Sequence, residues 1–172
     1  MLGLPKGQVF LVDWDKEWEI LFDREKQKIF ELFKNDNIEV HHIGSTSVKN
    51  LKAKPILDIA IEIDSFSDIN KYIDKLKQLD YISIGNDILP DRYYFIKGNP
   101  RTHQIHLFEK GSLYLEQQLK FRDILRTDST RKNEYESLKL KLAATNTNDK
   151  HKYADMKTDF ITNILKEFEE SK

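Results

Sequence analysis

At 172 residues the chain fits one domain, residues 1–172, long enough to bury roughly two-thirds of its unfolded surface. Charged residues reach 33% yet nearly cancel to a net charge of -1, which argues against wholesale electrostatic binding to nucleic acid or an anionic membrane. No apolar run approaches the roughly 20 residues of a membrane span, the cysteine count of 0 excludes disulfide and thiolate chemistry, and the N-terminus lacks the basic start and apolar core of a signal peptide; a cytoplasmic protein is expected.

Residues 8–12 (QVFLV) read as a short apolar strand. From Asp15 to about Asn35, apolar residues recur at helical spacing, including Trp18, Phe22, Ile29 and Phe33; Asp15 is a capping candidate and Asn35-Asp36-Asn37 a stop. Trp14 and Trp18, four apart, read as a core pair. Ile38 to Ile43 reads as a strand and Gly44 to Lys54 as a polar loop. Pro55 to Ile63 is a strand with Leu57, Ile59, Ile61 and Ile63 on one face and Asp58, Ala60 and Glu62 on the other. Phe66 to Leu79 reads as an amphipathic helix. Three strands follow, Tyr81–Ile84, Arg92–Lys97 and His103–Glu109, the last two joined by a turn at Gly98-Asn99-Pro100. Leu113–Arg126, Thr130–Ala144 and Asp149–Glu170 complete the chain as helices. A mixed sheet followed by a helical C-terminal half predicts an α+β fold.

The segment with chemical content runs from Ile38 to Ile63. A strand ends in Gly44-Ser45, a polar loop follows, and the next strand carries Asp58. Glycine lets the backbone turn tightly and approach a ligand, and Ser45, with Thr46 and Ser47 after it, offers hydroxyls beside backbone N–H groups that can hold phosphate oxygens. Asp58 can hold the magnesium ion that accompanies phosphate. Lys54, with Lys49 and Lys52, adds positive charge, and His42 flanks the turn. Farther on, His106 alternates with apolar neighbours and is a candidate cleft residue. Arg122 and Arg126 lie four apart on one helix face, able to present two guanidinium groups to an anion, with Asp123 facing away. Lys139 and Lys157 read as exposed helix lysines, and Glu62 as a strand-end surface residue.

The run HIGSTSVKNLKAKPILDI, His42 to Ile59, closely resembles the signature of the GrpB family, within the nucleotidyltransferase-like superfamily. Further matches are Asp13-Trp14-Asp15-Lys16-Glu17-Trp18, His103-Gln104-Ile105-His106, Phe121 to Arg126, and the pairs Tyr135/Lys139 and Tyr153/Lys157. Lys49-Asn50 stands where the family usually has Pro-Gly, which implies a less rigid loop. The resemblance implies a nucleotidyltransferase-like mixed β-sheet flanked by helices, a nucleotide or other phosphorylated small molecule as ligand, and transfer of a nucleotidyl group with a divalent metal such as Mg2+. Superfamily enzymes pair Gly-Ser with Asp-x-Asp or Asp-x-Glu; here Asp58 matches the first carboxylate and Ala60 occupies the second position. His106 stands where a third acidic residue would be expected. Two other readings stay open: a small-anion or metabolite-binding module whose catalytic carboxylates have decayed, and an interaction domain using Ile161, Ile164, Leu165 and Phe168 of the last helix.

Overall fold

The computed structural model describes residues 1–145 and 150–172, with the side chains of 150–153 outside the description. The predicted start of the last helix at Asp149, the polar stretch 146–148 and the Tyr153 side chain therefore lie outside the described residues.

Five strands form one mixed sheet: β1 (Glu39–Ile43), β2 (Leu57–Ile63), β3 (Ile82–Gly85), β4 (Tyr93–Lys97) and β5 (His103–Glu109). Their spatial order is β1-β2-β5-β4-β3, with β2 and β5 parallel and every other neighbouring pair antiparallel. Helices α1 (Glu17–Leu32) and α2 (Ile69–Lys77) belong to the sheet half, and α3 (Leu113–Thr127), α4 (Ser129–Thr145) and α5 (Lys150–Glu170) form the helical C-terminal half. No described helix is long and apolar enough to cross a membrane.

Strand alternation decides which layer each side chain joins. Leu57, Ile59, Ile61 and Ile63 are fully buried and pack with Trp18, Phe22, Ile29 and Phe33 of the α1 region and Tyr72 and Leu76 of α2. On the opposite face Ala60 is sealed into a small apolar cluster with Ile43, Phe108 and Leu115, which docks α3 against β1, β2 and β5. A third cluster joins Val48 and Leu51 of the loop to Phe121, Ile124 and Leu125 of α3, Tyr135 of α4 and Ile164 of α5. Ile161 and Leu165 pack against this cluster, so most of the expected interaction stripe on α5 is covered within the chain; Phe168 stays exposed.

Residues 8–12 do not form a strand of the sheet. Val12 makes one isolated bridge to Ala53, with N–H donors in both directions at 2.9 and 3.0 Å, and Val9 packs against Leu142. The apolar run is explained by burial against the loop and α4 rather than by a ladder. Asp15 acts at the start of α1, where its Oδ1 accepts the Glu17 N–H at 2.9 Å.

Candidate functional site

Because β2 lies between β1 and β5, Asp58 is flanked by Ile43 on one side and Gln104 on the other, and Ala60 by His41 and His106. Asp58, Gln104 and His106 thus share the face turned to the helical half. Immediately after Ile43 the chain bends at Gly44, which has φ 71° and ψ -177°, a region that is essentially glycine-only. A β-carbon there would lie 2.6 Å from Asp58 Oδ2, so glycine is required both by the dihedral and by the carboxylate lying against it.

Gly44 and Asp58 form the floor of a cleft with two connected lobes. The narrower, about 100 Å³, is bounded by Ser45, Thr46, Arg122 and Tyr135; the wider, about 300 Å³, by Arg92, Arg101, His106 and Tyr114. Lys54, Gln118 and Lys157 border both. Asp58 is the one carboxylate among the described lining residues of either lobe, against Lys54, Lys157 and Arg122 in the first and Lys54, Lys157, Arg92 and Arg101 in the second. Such a cleft attracts anions, and its carboxylate is placed to hold a cation between itself and an anionic ligand.

The carboxylate is itself held. With its amide oriented to satisfy its neighbours, Gln104 donates from its side-chain nitrogen to Asp58 Oδ1 at 2.9 Å, while its oxygen accepts from Arg101 Nη1 at 3.2 Å and from the Tyr94 hydroxyl at 3.1 Å. His106 Nε2 lies 3.8 Å from Asp58 Oδ1, and Nδ1 of the same ring is buried with no partner among the described residues. Burial, opposed by Arg101, pushes the Tyr94 hydroxyl up to about 12, so it remains a donor at neutral pH.

Several expected site residues lie elsewhere. The His42 ring is on the other face of the sheet, stacked on Phe22 with centroids 4.5 Å apart and within 3.0 Å of the Thr46 hydroxyl. Burial pushes its pKa down to about 3 despite the pull of Asp58; it supports the turn from behind. Ser47 is buried, its hydroxyl donating to the Gly44 carbonyl at 2.5 Å. The Arg126 guanidinium donates twice to the Ser47 carbonyl, at 3.0 and 2.8 Å, instead of facing a ligand. Asp123 does not face away: its Oδ1 accepts from Arg122 Nε at 2.9 Å. Lys139 is not exposed. It is buried, donates to the Lys52 carbonyl and lies 5.0 Å from the Tyr135 ring centroid, and burial followed by the nearby Lys157 charge pushes its pKa down to about 6. Lys157, expected at the surface, borders the cleft.

The segment 42–54 is fastened from outside by basic side chains. Arg122 donates to the His42 carbonyl at 3.1 Å, Arg126 to Ser47, Lys132 to Lys49 at 3.3 Å and Lys139 to Lys52. Glu136 accepts the Lys52 N–H at 2.6 Å, and Trp14 Nε1 donates to the Thr46 carbonyl at 3.2 Å. Asn50 adopts φ 60°, a left-handed conformation that asparagine tolerates better than most side chains. The loop without Pro-Gly is therefore held by α3 and α4 rather than by its own composition, against the expectation of lower rigidity.

Asp58 fits one magnesium ion, since magnesium binds through one or two carboxylates completed by ligand phosphates and water. A two-ion arrangement does not fit, because the position of the second carboxylate is Ala60, sealed under Leu115. A separate candidate divalent-cation cluster exists among the described residues: ligand atoms of Glu39, His41 and Glu62 all lie within 4.8 Å of one another. It is on the same sheet face as Asp58 but toward the other end of the β1–β2 ladder, and in it His41 Nε2 sits 2.7 Å from Glu62 Oε1.

The chain is a mixed β-sheet flanked by helices with a helical C-terminal half, and a distant structural likeness supports a nucleotidyltransferase-like fold. The chain superposes on Cid1, solved in complex with its short product ApU, with a TM-score of 0.51 at 14% identity over 78% of this chain and 40% of Cid1. More specifically, the chain belongs to the GrpB family, whose profile, described as GrpB protein, matches residues 8–167. It is similar to conserved protein GrpB from Enterococcus faecalis, known from a crystal structure, with a TM-score of 0.82 and 28% identity, covering 92% of this chain and 99% of that one. The UPF0157 protein YqkA of Bacillus subtilis is 37% identical over 158 residues, 91% of this chain and 46% of YqkA. The glutamate-rich protein GrpB of Alkalihalophilus pseudofirmus is 33% identical over 173 residues, 97% of this chain and 99% of that protein. The chain thus spans about half of one relative and nearly all of the other.

Proposed function

We propose that the protein binds a nucleotide or another phosphorylated small molecule with its phosphates in the narrower lobe, against Gly44, Ser45 and Thr46, and one divalent ion at Asp58. The observation that carries this reading is the contact between the Gly44 backbone and the Asp58 carboxylate on the floor of a cleft whose other charged residues, among those described, are all cations. Lys54, Arg122 and Lys157 would neutralise phosphate charge, and Gln104 would hold the carboxylate in orientation. A bound magnesium ion supplies charge neutralisation between phosphate oxygens. The same fold in Cid1, solved with the UTP analogue UMPNPP, supports a nucleotide as ligand, with nucleotidyl transfer as the reaction proposed. Positioning and charge neutralisation would supply most of any such catalysis.

A second reading, an anion-binding module without turnover, is favoured by one observation: Ala60 is fully buried beneath α3, so the usual second metal ligand has no place. Calorimetry with nucleoside triphosphates separates the two. The first reading expects magnesium-dependent binding that weakens about tenfold or more in Asp58→Asn. Binding that is indifferent to magnesium and to Asp58→Asn supports the module, and no binding at millimolar ligand overturns both.

A further inference from the structure

The wider lobe carries positive charge that the narrower lobe's ligand does not use. Arg92 is matched within the chain: its Nε and Nη2 donate to Asp91 at 2.9 and 3.2 Å, and its guanidinium carbon lies 3.8 Å from the Tyr114 ring centroid. Arg101 differs. Its side-chain partners are neutral, the Tyr94 hydroxyl and the Gln104 oxygen, each at 3.2 Å, and no described carboxylate lies within 4.0 Å of it. A guanidinium has five N–H donors and a charge that neutral acceptors do not balance.

His106 adds a second pointer. Its Nδ1 is buried with no partner among the described residues. Nε2 lies 3.8 Å from Asp58, beyond hydrogen-bond range, at the edge of the same lobe. Tyr114, 41% exposed, lines the same lobe. A volume of about 300 Å³ is at the lower end for a small organic ligand and exceeds what one phosphate needs.

We propose that the wider lobe is a second ligand site, taking a small planar organic anion whose phosphate or carboxylate pairs with Arg101 and whose body lies against Tyr114. It rests on the reading of the narrower lobe as the phosphate site, and places the two ligands on either side of Asp58. The anion would accept from His106 Nε2 or Arg101, and Lys54 and Lys157 border both ligands.

The test uses the full chain, isotope-labelled for NMR, with tripolyphosphate as probe of the narrower lobe and phenyl phosphate or benzoate as probe of the wider. Phenyl phosphate should shift the Gln104 side-chain amide and bind with its Kd changed less than about threefold by saturating tripolyphosphate. Arg101→Gln should weaken phenyl phosphate about tenfold or more and leave tripolyphosphate within about threefold. Arg101→Lys, with a thermal melt, separates loss of the charge partner from loss of the fold. Benzoate binding at the same amide supports a general anion site; benzoate failing where phenyl phosphate succeeds supports a phosphate site. Mutual displacement of the two probes, or shifts confined to residues 44–47, overturns the second site. Failure of tripolyphosphate alone, with phenyl phosphate still bound through Arg101, instead sinks the assignment of the narrower lobe.

Discussion

Gly44 concentrates the constraints of the site in one residue. Its dihedrals are reserved for glycine, and any side chain would meet Asp58 Oδ2. Gly44→Ala is expected to lose about 1–3 kcal/mol of stability from backbone strain alone, measured by urea denaturation, and to weaken phosphate ligands by displacing the carboxylate; wild-type stability and affinity together would contradict it. Two imidazoles, His42 buried and His103 half-buried, give a pH signature. Burial holds His42 at about 3 and His103 at about 4, both below the ordinary 6.5. Between about pH 4 and 6.5 the unfolded chain therefore binds more protons than the folded one, so stability falls as pH falls through this window. The two rings together contribute up to about 2.7 kcal/mol per pH unit. Denaturation curves at pH 7, 6 and 5 should show this loss, with the slope roughly halved in His42→Gln. The Gly-Ser bend and Asp58 were legible in the sequence because glycine before a polar loop and a carboxylate early in a mostly apolar strand are local signals. Gln104 was not: an amide acquires its role only when strand register sets it beside Asp58 and Arg101.

At the level of elements, the loop between β1 and β2 owes its shape to α3 and α4. Its carbonyls at 42, 47, 49 and 52 are each taken by a basic side chain from those helices. Arg126→Gln removes both bonds to Ser47 and is expected to cost about 1–3 kcal/mol. Amide exchange across residues 45–52 should accelerate more than in the β2 and β5 strands; uniform acceleration would assign Arg126 a global role instead. These fastenings were illegible in the sequence because they join residues 79 to 87 positions apart and use backbone acceptors, which carry no residue signal. Lys139 was misplaced for the same reason, since its acceptor is a backbone carbonyl 87 positions away. The β2 strand, by contrast, could be read nearly to its ends, because alternation of Leu and Ile with Asp, Ala and Glu is the pattern that burial on one face imposes. The run 8–12 carried strand-like composition but met a loop and α4, not a sheet edge.

Across the whole molecule, the sheet is a partition. Its α1–α2 face holds most of the apolar core, and its other face carries the cleft, with α3 closing one side over Ala60. That division makes a single-ion phosphate site at Asp58 the central claim, and it sets Asp58 apart from the Glu39–His41–Glu62 cluster farther along the same face. The direct measurement is a crystal structure grown with Mn2+, as an anomalous stand-in for magnesium, and a non-hydrolysable nucleoside triphosphate. The account predicts an anomalous peak in coordination contact with an Asp58 oxygen and with ligand phosphate, and phosphate oxygens beside Ser45 and Thr46. A peak confined to Glu39, His41 and Glu62, with no phosphate against the Gly44 bend, would contradict it.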